Sequence, residues 1–215
     1  MVTGSLILYI DAHWSNTWDC APYVALREKG IPFSTVVAMV NNSLTPPVKY
    51  QAITGLEPAL QHGDFWVAES LAIIEYLEDA FPAPEFPRLW PEDLRARARA
   101  RQVMSWTRME LITLRNERTS TLLFYPRAEH PPLGPQAAAQ AAKLIAMVER
   151  LEPSPEGTLF GEWCIADVDV AFAVMRLVKT GHDVPAAVRA YAEAVWLRPS
   201  VREYVDHSRP PHAPP

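Results

Sequence analysis

The sequence predicts an α/β domain followed by an all-α domain. Three observations carry this: β-type and helical runs alternate over the first eighty residues, a proline-dense stretch interrupts the chain at 82–91, and only helical periodicity follows it. A chain of 215 residues exceeds the usual single-domain size, which leaves room for two cores.

In chain order, the apolar run "SLILYI" (5–10) predicts a strand ending at Asp11, and residues 17–29 predict a helix stopped by Gly30. The β-branched "PFSTVVAMV" (32–40) predicts a second strand. After a loop, "ALQHGDFWVA" (59–68) reads as two strands joined by a Gly-Asp turn, and Leu71, Ile74 and Leu77 mark a helix in "ESLAIIEYLEDAF". The order is β-α-β, loop, β-β-α. Residues 82–91, "PAPEFPRLWP", hold four prolines and cannot continue that helix. Domains are therefore expected at 1–82 and 91–215, with a linker at 83–90. Residues 91–118 predict one long helix, with Pro91 in its first turn and Glu92 and Asp93 near the positive end of its dipole. Further helices are expected at about 135–152, 165–179, 184–197 and 200–207, ahead of a frayed tail, "RPPHAPP".

Composition narrows the function. With 49% apolar and 21% charged residues and no apolar run near the roughly 18 that span a bilayer, no membrane segment is expected. "SLILYI" meets Asp11 too soon to be a secretion leader, so a cytoplasmic location is expected. A formal charge of −5 argues against nucleic acid, whose binders present basic surfaces, and points to a small-molecule partner. Cys20 and Cys164 are too few for a disulfide framework and lack metal-ligand spacing, so reduced thiols and no metal are expected.

Two places carry candidate chemistry. Pro58 heads a strand, which fits either an edge-strand start or a cis bond that turns the backbone toward a ligand. Glu69 and Ser70 fall where a strand gives way to a helix, so Ser70 can cap that helix and its neighbouring N–H groups can receive a carboxylate. The same pair also fits a plain cap beside a solvated Glu.

Taken together, the β-α-β order, the X-Pro strand, the hairpin, the Glu-Ser helix, the proline linker and the helical second half resemble a cytosolic glutathione S-transferase. "ALREKGIPF", "EPAL", "ESLAIIEYLEDAF" and "GEWCIADVDVAF" carry the resemblance, and the last two of these, with "DAH" after the first strand, resemble the bacterial YfcF-type branch. The resemblance implies a thioredoxin-like first domain that binds glutathione, a helical second domain and a homodimer. It implies that Glu69 meets the α-amino group of glutathione and Ser70 the α-carboxylate. Glu57, before Pro58, would pair its backbone with the cysteinyl unit, and its acidic side chain departs from the Val common there.

The family's catalytic Ser or Cys falls on Asn16, with Ser15 before it and Thr17 after. A thiol of pKa about 8.5 is mostly protonated at neutral pH, and an Asn N–H donor beside a helix start can stabilise the thiolate without reacting. Asn16 is expected to do this, with Ser15 the next in line and Thr17, a candidate cleft residue, behind it; an ordinary N-cap at Asn16 is compatible with that role. Cys20 is expected to be packing. Asp167 is expected to close a capping box on Cys164.

Arg101, Arg108 and Arg115, with Arg97 and Arg118 nearly in line, form a basic stripe. It reads either as a solvated face paired with Glu110 and Glu117 or, for Arg108 and Arg115, as cleft residues that attract an anion. Trp14, Trp18, Trp66 and Trp106 could wall an apolar pocket or be core; His13 and His62 receive no role. Conjugation to an electrophile and reduction of a hydroperoxide are both open to such a site, the branch resemblance leaning to peroxidase. The rivals are a glutathione- or hydrophobic-ligand-binding protein with little catalysis and a glutathione-dependent disulfide reductase.

Overall fold

The computed structural model describes residues 4–40, 43–44, 48–127 and 129–211. Two compact units form, one from residues 1–89 with 206–215 and one from residues 90–205.

The first unit is built on a four-stranded sheet in the order β2-β1-β5-β6. β1 (Leu6–Ile10) runs parallel to β2 (Ser34–Val37) and antiparallel to β5 (Ala59–His62), which pairs in turn with β6 (Phe65–Ala68). α1 (Thr17–Glu28) makes the crossover from β1 to β2 and packs against α3 (Ser70–Ala80). β1 is central and buried on both faces: Leu8 and Ile10 are core residues, and Tyr9 joins a cluster with Ala38, Val48, Ala52, Ala59 and Ala68.

The run 32–40, expected as one strand, divides. The Ala38 N–H donates to Ile10 O at 2.8 Å, and there β1 ends, so nothing remains for the chain to pair with. Residues after it form β3 (Met39–Val40), which pairs with β4 (Ser43–Leu44) in a separate two-stranded sheet. The expected loop also holds a short helix, α2 (Val48–Gln51). Gly30 stops α1 as expected, at φ 65°, a conformation that costs glycine little.

Residues 83–89, expected as linker, are tied into this unit by Lys29. Its fully buried ammonium donates to Phe81 O at 2.7 Å and Pro87 O at 2.9 Å and pairs with Glu78 at 2.8 Å. Glu78 also accepts the N–H of the buried Leu89 at 3.0 Å.

The second unit is helical: α4 (Leu94–Glu110), α5 (Ile112–Glu117), α6 (Thr121–Phe124), α7 (Pro135–Arg150), α8 (Ile165–Lys179), α9 (Ala186–Trp196) and α10 (Pro199–Val205). α8 is its axis, buried from Ile165 to Leu177 and packed on α4, α6, α7 and α9. The capping box on Cys164 forms: the Cys164 N–H donates to Asp167 at 2.9 Å, and Asp167 also accepts the Leu159 N–H and the Tyr191 hydroxyl, each at 3.1 Å.

The long helix differs from expectation at both ends. Asp93 accepts the N–H groups of Arg95 and Ala96 at 3.0 and 2.8 Å, which makes it the N-cap and leaves Pro91 outside the helix. At Leu111 (φ −94°, ψ 29°) the helix breaks into α4 and α5. The tail expected to fray is held as far as it is described: Arg209 Nε donates to Trp14 O at 3.1 Å, and the His207 ring stacks on Trp14 at 3.5 Å. Residues 212–215 lie outside the described residues.

Removing a buried cation strands the groups that faced it. Lys29→Met is expected to lower the unfolding free energy by about 3 kcal/mol in urea titrations, because two carbonyls and Glu78 lose their donor.

Candidate functional site

Three segments leave the first unit's sheet at one end. β1 runs out at Ile10 into the loop 11–16. β5 begins at Ala59, opposite Tyr9, so Glu57 and Pro58 lie beside that exit. β6 pairs Ala68 with Ala59 and passes directly into Glu69 and Ser70, two strands from β1 and about 10 Å away. Sheet register therefore gathers Ser15, Asn16, Glu57, Pro58, Glu69 and Ser70 at one edge. The Glu57-Pro58 bond is cis.

Ser70 is buried and is the first residue of α3, and the cap position belongs to Glu69. This corrects the expected Ser70 cap. Glu69 takes φ 72° to turn β6 into α3, its side chain makes no capping bond, and its carboxylate is exposed. Such a φ is uncommon for a residue with a side chain, and strain of this kind concentrates at binding sites. The α3 start thus presents N–H groups and a buried hydroxyl beside an exposed carboxylate, a combination that suits a zwitterionic α-amino acid terminus.

The loop 11–16 is built on two aspartates. Asp19, wholly buried in the first turn of α1, accepts the Asp11 N–H at 2.7 Å and the Asn16 Nδ2 at 3.3 Å. Asp11 accepts both the N–H and the hydroxyl of Ser15, at 3.1 and 3.2 Å. Asn16 caps α1 as expected, its Oδ1 accepting the Trp18 N–H at 3.0 Å, and Thr17 is the first helical residue. Trp14, at φ 50°, closes a turn with its N–H on Asp11 O at 3.2 Å.

The electrostatics of this edge are acidic. Burial pushes the Asp19 carboxyl well above the usual carboxylate range; the Asp11 N–H opposes this, and the charges of Asp11 and Glu57 add to it. Glu57, half-buried, is also raised, first by burial and then by Asp11, against the pull of its own N–H. Sequence reasoning passed over Asp11 and Asp19. The available signal was a carboxylate at the same helical face as Tyr23 and Leu26 in an otherwise apolar stretch.

Other candidates fall elsewhere. Neither Cys20 nor Cys164 is in a disulfide, both are fully buried, and burial raises the Cys164 thiol further from reactivity. The arginine stripe dissolves into separate contacts, which corrects its reading as one solvated face paired with Glu110 and Glu117. Arg101 lies over Trp90, Arg108 pairs with the buried Asp169 at 2.5 Å, and Arg115 donates to Thr107 O at 3.0 Å. Glu110 pairs with Lys143, and Glu117 accepts the Gly134 N–H. Trp66 packs on Tyr9, while Trp106 lines a helical-unit groove of about 780 Å³ together with Lys143 and Met147. His62 is buried against Tyr76. Among the described residues no cluster of His, Cys, Asp or Glu could hold a metal, and no helix is long and apolar enough to cross a membrane.

The model of the glutathione S-transferase C-terminal domain matches residues 93–209, more than half of the chain, and that of the N-terminal domain matches residues 22–80. The chain belongs to the glutathione S-transferase family. It is similar to glutathione S-transferase theta-3 of Mus musculus, 29% identical over 135 residues, and theta-1 of Homo sapiens, 30% identical over 138 residues. Each alignment covers 61% of this chain and 55% of the relative, so the match spans about half the length of these curated relatives. A solved glutathione transferase homolog from a Burkholderia (BGR1), with bound glutathione, is 34% identical over 94% of this chain and 97% of its own, with TM-score 0.77. The theta-class transferase of Xanthomonas axonopodis pv. citri shares the fold at 18% identity, with TM-score 0.72 and coverage of 96% and 99%. The N-terminal family match begins at residue 22, past Asn16 and Asp19.

Because Asp19 binds its proton more tightly when folded, the stability it contributes is fully present at acid pH and is lost as pH rises from the ordinary carboxylate range through the raised value. Urea unfolding at stepped pH is expected to show this decline in the wild type and a shallower one in Asp19→Asn. Equal slopes would mean that Asp19 does not titrate on folding.

Proposed function

We propose that this chain is a glutathione transferase that binds glutathione along the sheet edge of its first unit. The observation that supports this most is the register that sets Glu57, Glu69 and Ser70 beside the loop bearing Asn16. The Glu69 carboxylate receives the α-ammonium of glutathione, and the Ser70 hydroxyl and N–H receive its α-carboxylate. The Glu57 backbone pairs with the cysteinyl unit as an added strand, which brings the thiol toward the N-terminus of α1. There Asn16 is the donor to the sulfur. Ser15 is disfavoured, since a serine hydroxyl has one hydrogen and Asp11 holds it.

The nucleophile comes with glutathione, so the protein supplies position and electrostatics, and conjugation to an electrophile and reduction of a hydroperoxide are both within reach. Arg115, half-buried on α5, is the candidate to attract an anionic co-substrate, and Arg108, locked to Asp169, supports the same region of the helical unit. Assembly as a homodimer belongs to the same reading.

One observation favours a second reading, glutathione binding with little catalysis. Asp11, Asp19 and Glu57 place three carboxyls around the sulfur end, and negative charge there opposes a thiolate. The buried Cys20 leaves no nucleophile at the helix start for disulfide reduction through a protein thiol.

Titration calorimetry and thiolate absorbance separate these. Glutathione is expected to bind, and Glu69→Gln and Ser70→Ala are each expected to weaken binding about tenfold, the scale of one lost charge-assisted bond. A bound thiol that ionises below its free pKa, with turnover of an activated aryl halide or an organic hydroperoxide, supports the transferase. Binding with an unshifted thiol and no turnover supports the second reading, and absence of binding ends both.

A further inference from the structure

The position equivalent to the family's catalytic residue is occupied by an amide whose orientation is set from one turn further into the helix. We propose that Asp19 is a positioning residue that selects Asn16 over Ser15 as the hydrogen-bond donor to the glutathione sulfur. This rests on the transferase reading above for its ligand, and on the ligand-free geometry for its mechanism.

Asn16 is held at both ends of its amide. Its Oδ1 accepts the Trp18 N–H at 3.0 Å, and its Nδ2 donates to Asp19 Oδ1 at 3.3 Å. That assignment is forced by the partners, since a backbone N–H cannot donate to an NH2 group and a carboxylate cannot receive from a carbonyl oxygen. An amide nitrogen carries two hydrogens, and the bond to Asp19 orients the group while using one of them.

The second oxygen of Asp19 accepts the Asp11 N–H at 2.7 Å, which fixes the residue whose own carboxylate holds the N–H and hydroxyl of Ser15. One buried carboxylate therefore acts on both candidates, directly on Asn16 and through Asp11 on Ser15. It turns one donor into a fixed group and withdraws the other. Asp19 is wholly buried, so it acts on the two donors through these bonds.

Two effects of Asp19 on a bound thiol have opposite signs. As a negative charge it raises the thiol pKa, so deleting the charge alone would favour the thiolate. As the anchor of Asn16 it lowers the thiol pKa, so losing the anchor disfavours the thiolate. The sign of the change in Asp19→Asn thus reports which effect dominates.

The test has two arms. In the ligand-free protein, the side-chain amide resonances of Asn16, assigned by comparison with Asn16→Ala, are expected to stand apart from free-amide values. They are expected to shift as acid titrates Asp19, which faces Asp11 on the β1 exit and Glu57 before β5 as its charged neighbours. With glutathione bound, Asp19→Asn is expected to keep its affinity within about twofold while the thiolate-to-thiol ratio at neutral pH falls about tenfold, one unit of pKa. In an Asn16→Ala background the same change is expected to produce no such fall, because coupled residues are not additive.

Free-amide resonances at Asn16 overturn the proposal whether or not glutathione binds. A change in thiolate on Asp19→Asn that is the same in both backgrounds, whatever its sign, overturns it too. If Asp19→Asn does not fold, the wild-type amide titration decides alone. If the Asn16 amide behaves as expected and wild-type protein binds no glutathione, the positioning stands and the transferase reading fails.

Discussion

The candidate edge of this protein depends on a buried carboxylate that joins the end of a strand to the start of a helix. Asp19 takes the N–H of Asp11, where β1 stops, and the amide of Asn16, where α1 begins. Three features of the intervening loop adjoin these two points: the turn closed by Trp14 on Asp11 O, the double bond of Ser15 to the Asp11 carboxylate, and the cap that Asn16 places on Trp18. Burying a charge is costly unless donors surround it, and here the donors are the groups that shape the site. The cost is visible as the raised Asp19 carboxyl.

Much of the fold was legible in the sequence because local signals and tertiary demands agreed. Gly30 stopped α1, the Gly63 and Asp64 turn joined β5 to β6, and Asp167 closed its capping box on Cys164. The misses came where a distant partner decided. The run 32–40 is uniformly β-prone, yet its pairing stops at Ala38 because β1 stops at Ile10. The proline-dense stretch has the composition of a linker, and what makes it part of the first unit is the Lys29 ammonium, more than fifty residues away in sequence. Helical periodicity ran through Leu111, where the backbone breaks.

The candidate site was legible in the same uneven way. Glu69, Ser70, Glu57, Pro58 and Asn16 lie where the motif order put them, and strand register brings them to one edge. The aspartates that arrange them were not legible. A carboxylate in a helix's first turn normally reads as a solvated partner of the dipole, and only the fold shows that Asp19 faces inward. Family resemblance pointed to Asn16, but the groups that hold Asn16 and Ser15 in place, Asp19 and Asp11, are visible only in the structure.

The link between Arg209 and Trp14 joins residues 195 positions apart. The first unit is therefore discontinuous: its sheet comes from residues before 90, and the contacts on Trp14 come from residues after 205. During synthesis, which delivers the N-terminal part first, β1 to α3 can assemble long before His207 and Arg209 leave the ribosome. The wall around Trp14 is closed only after residues 90–205 have been made, so the loop beside Asn16 gains these neighbours later than the helical unit is synthesised.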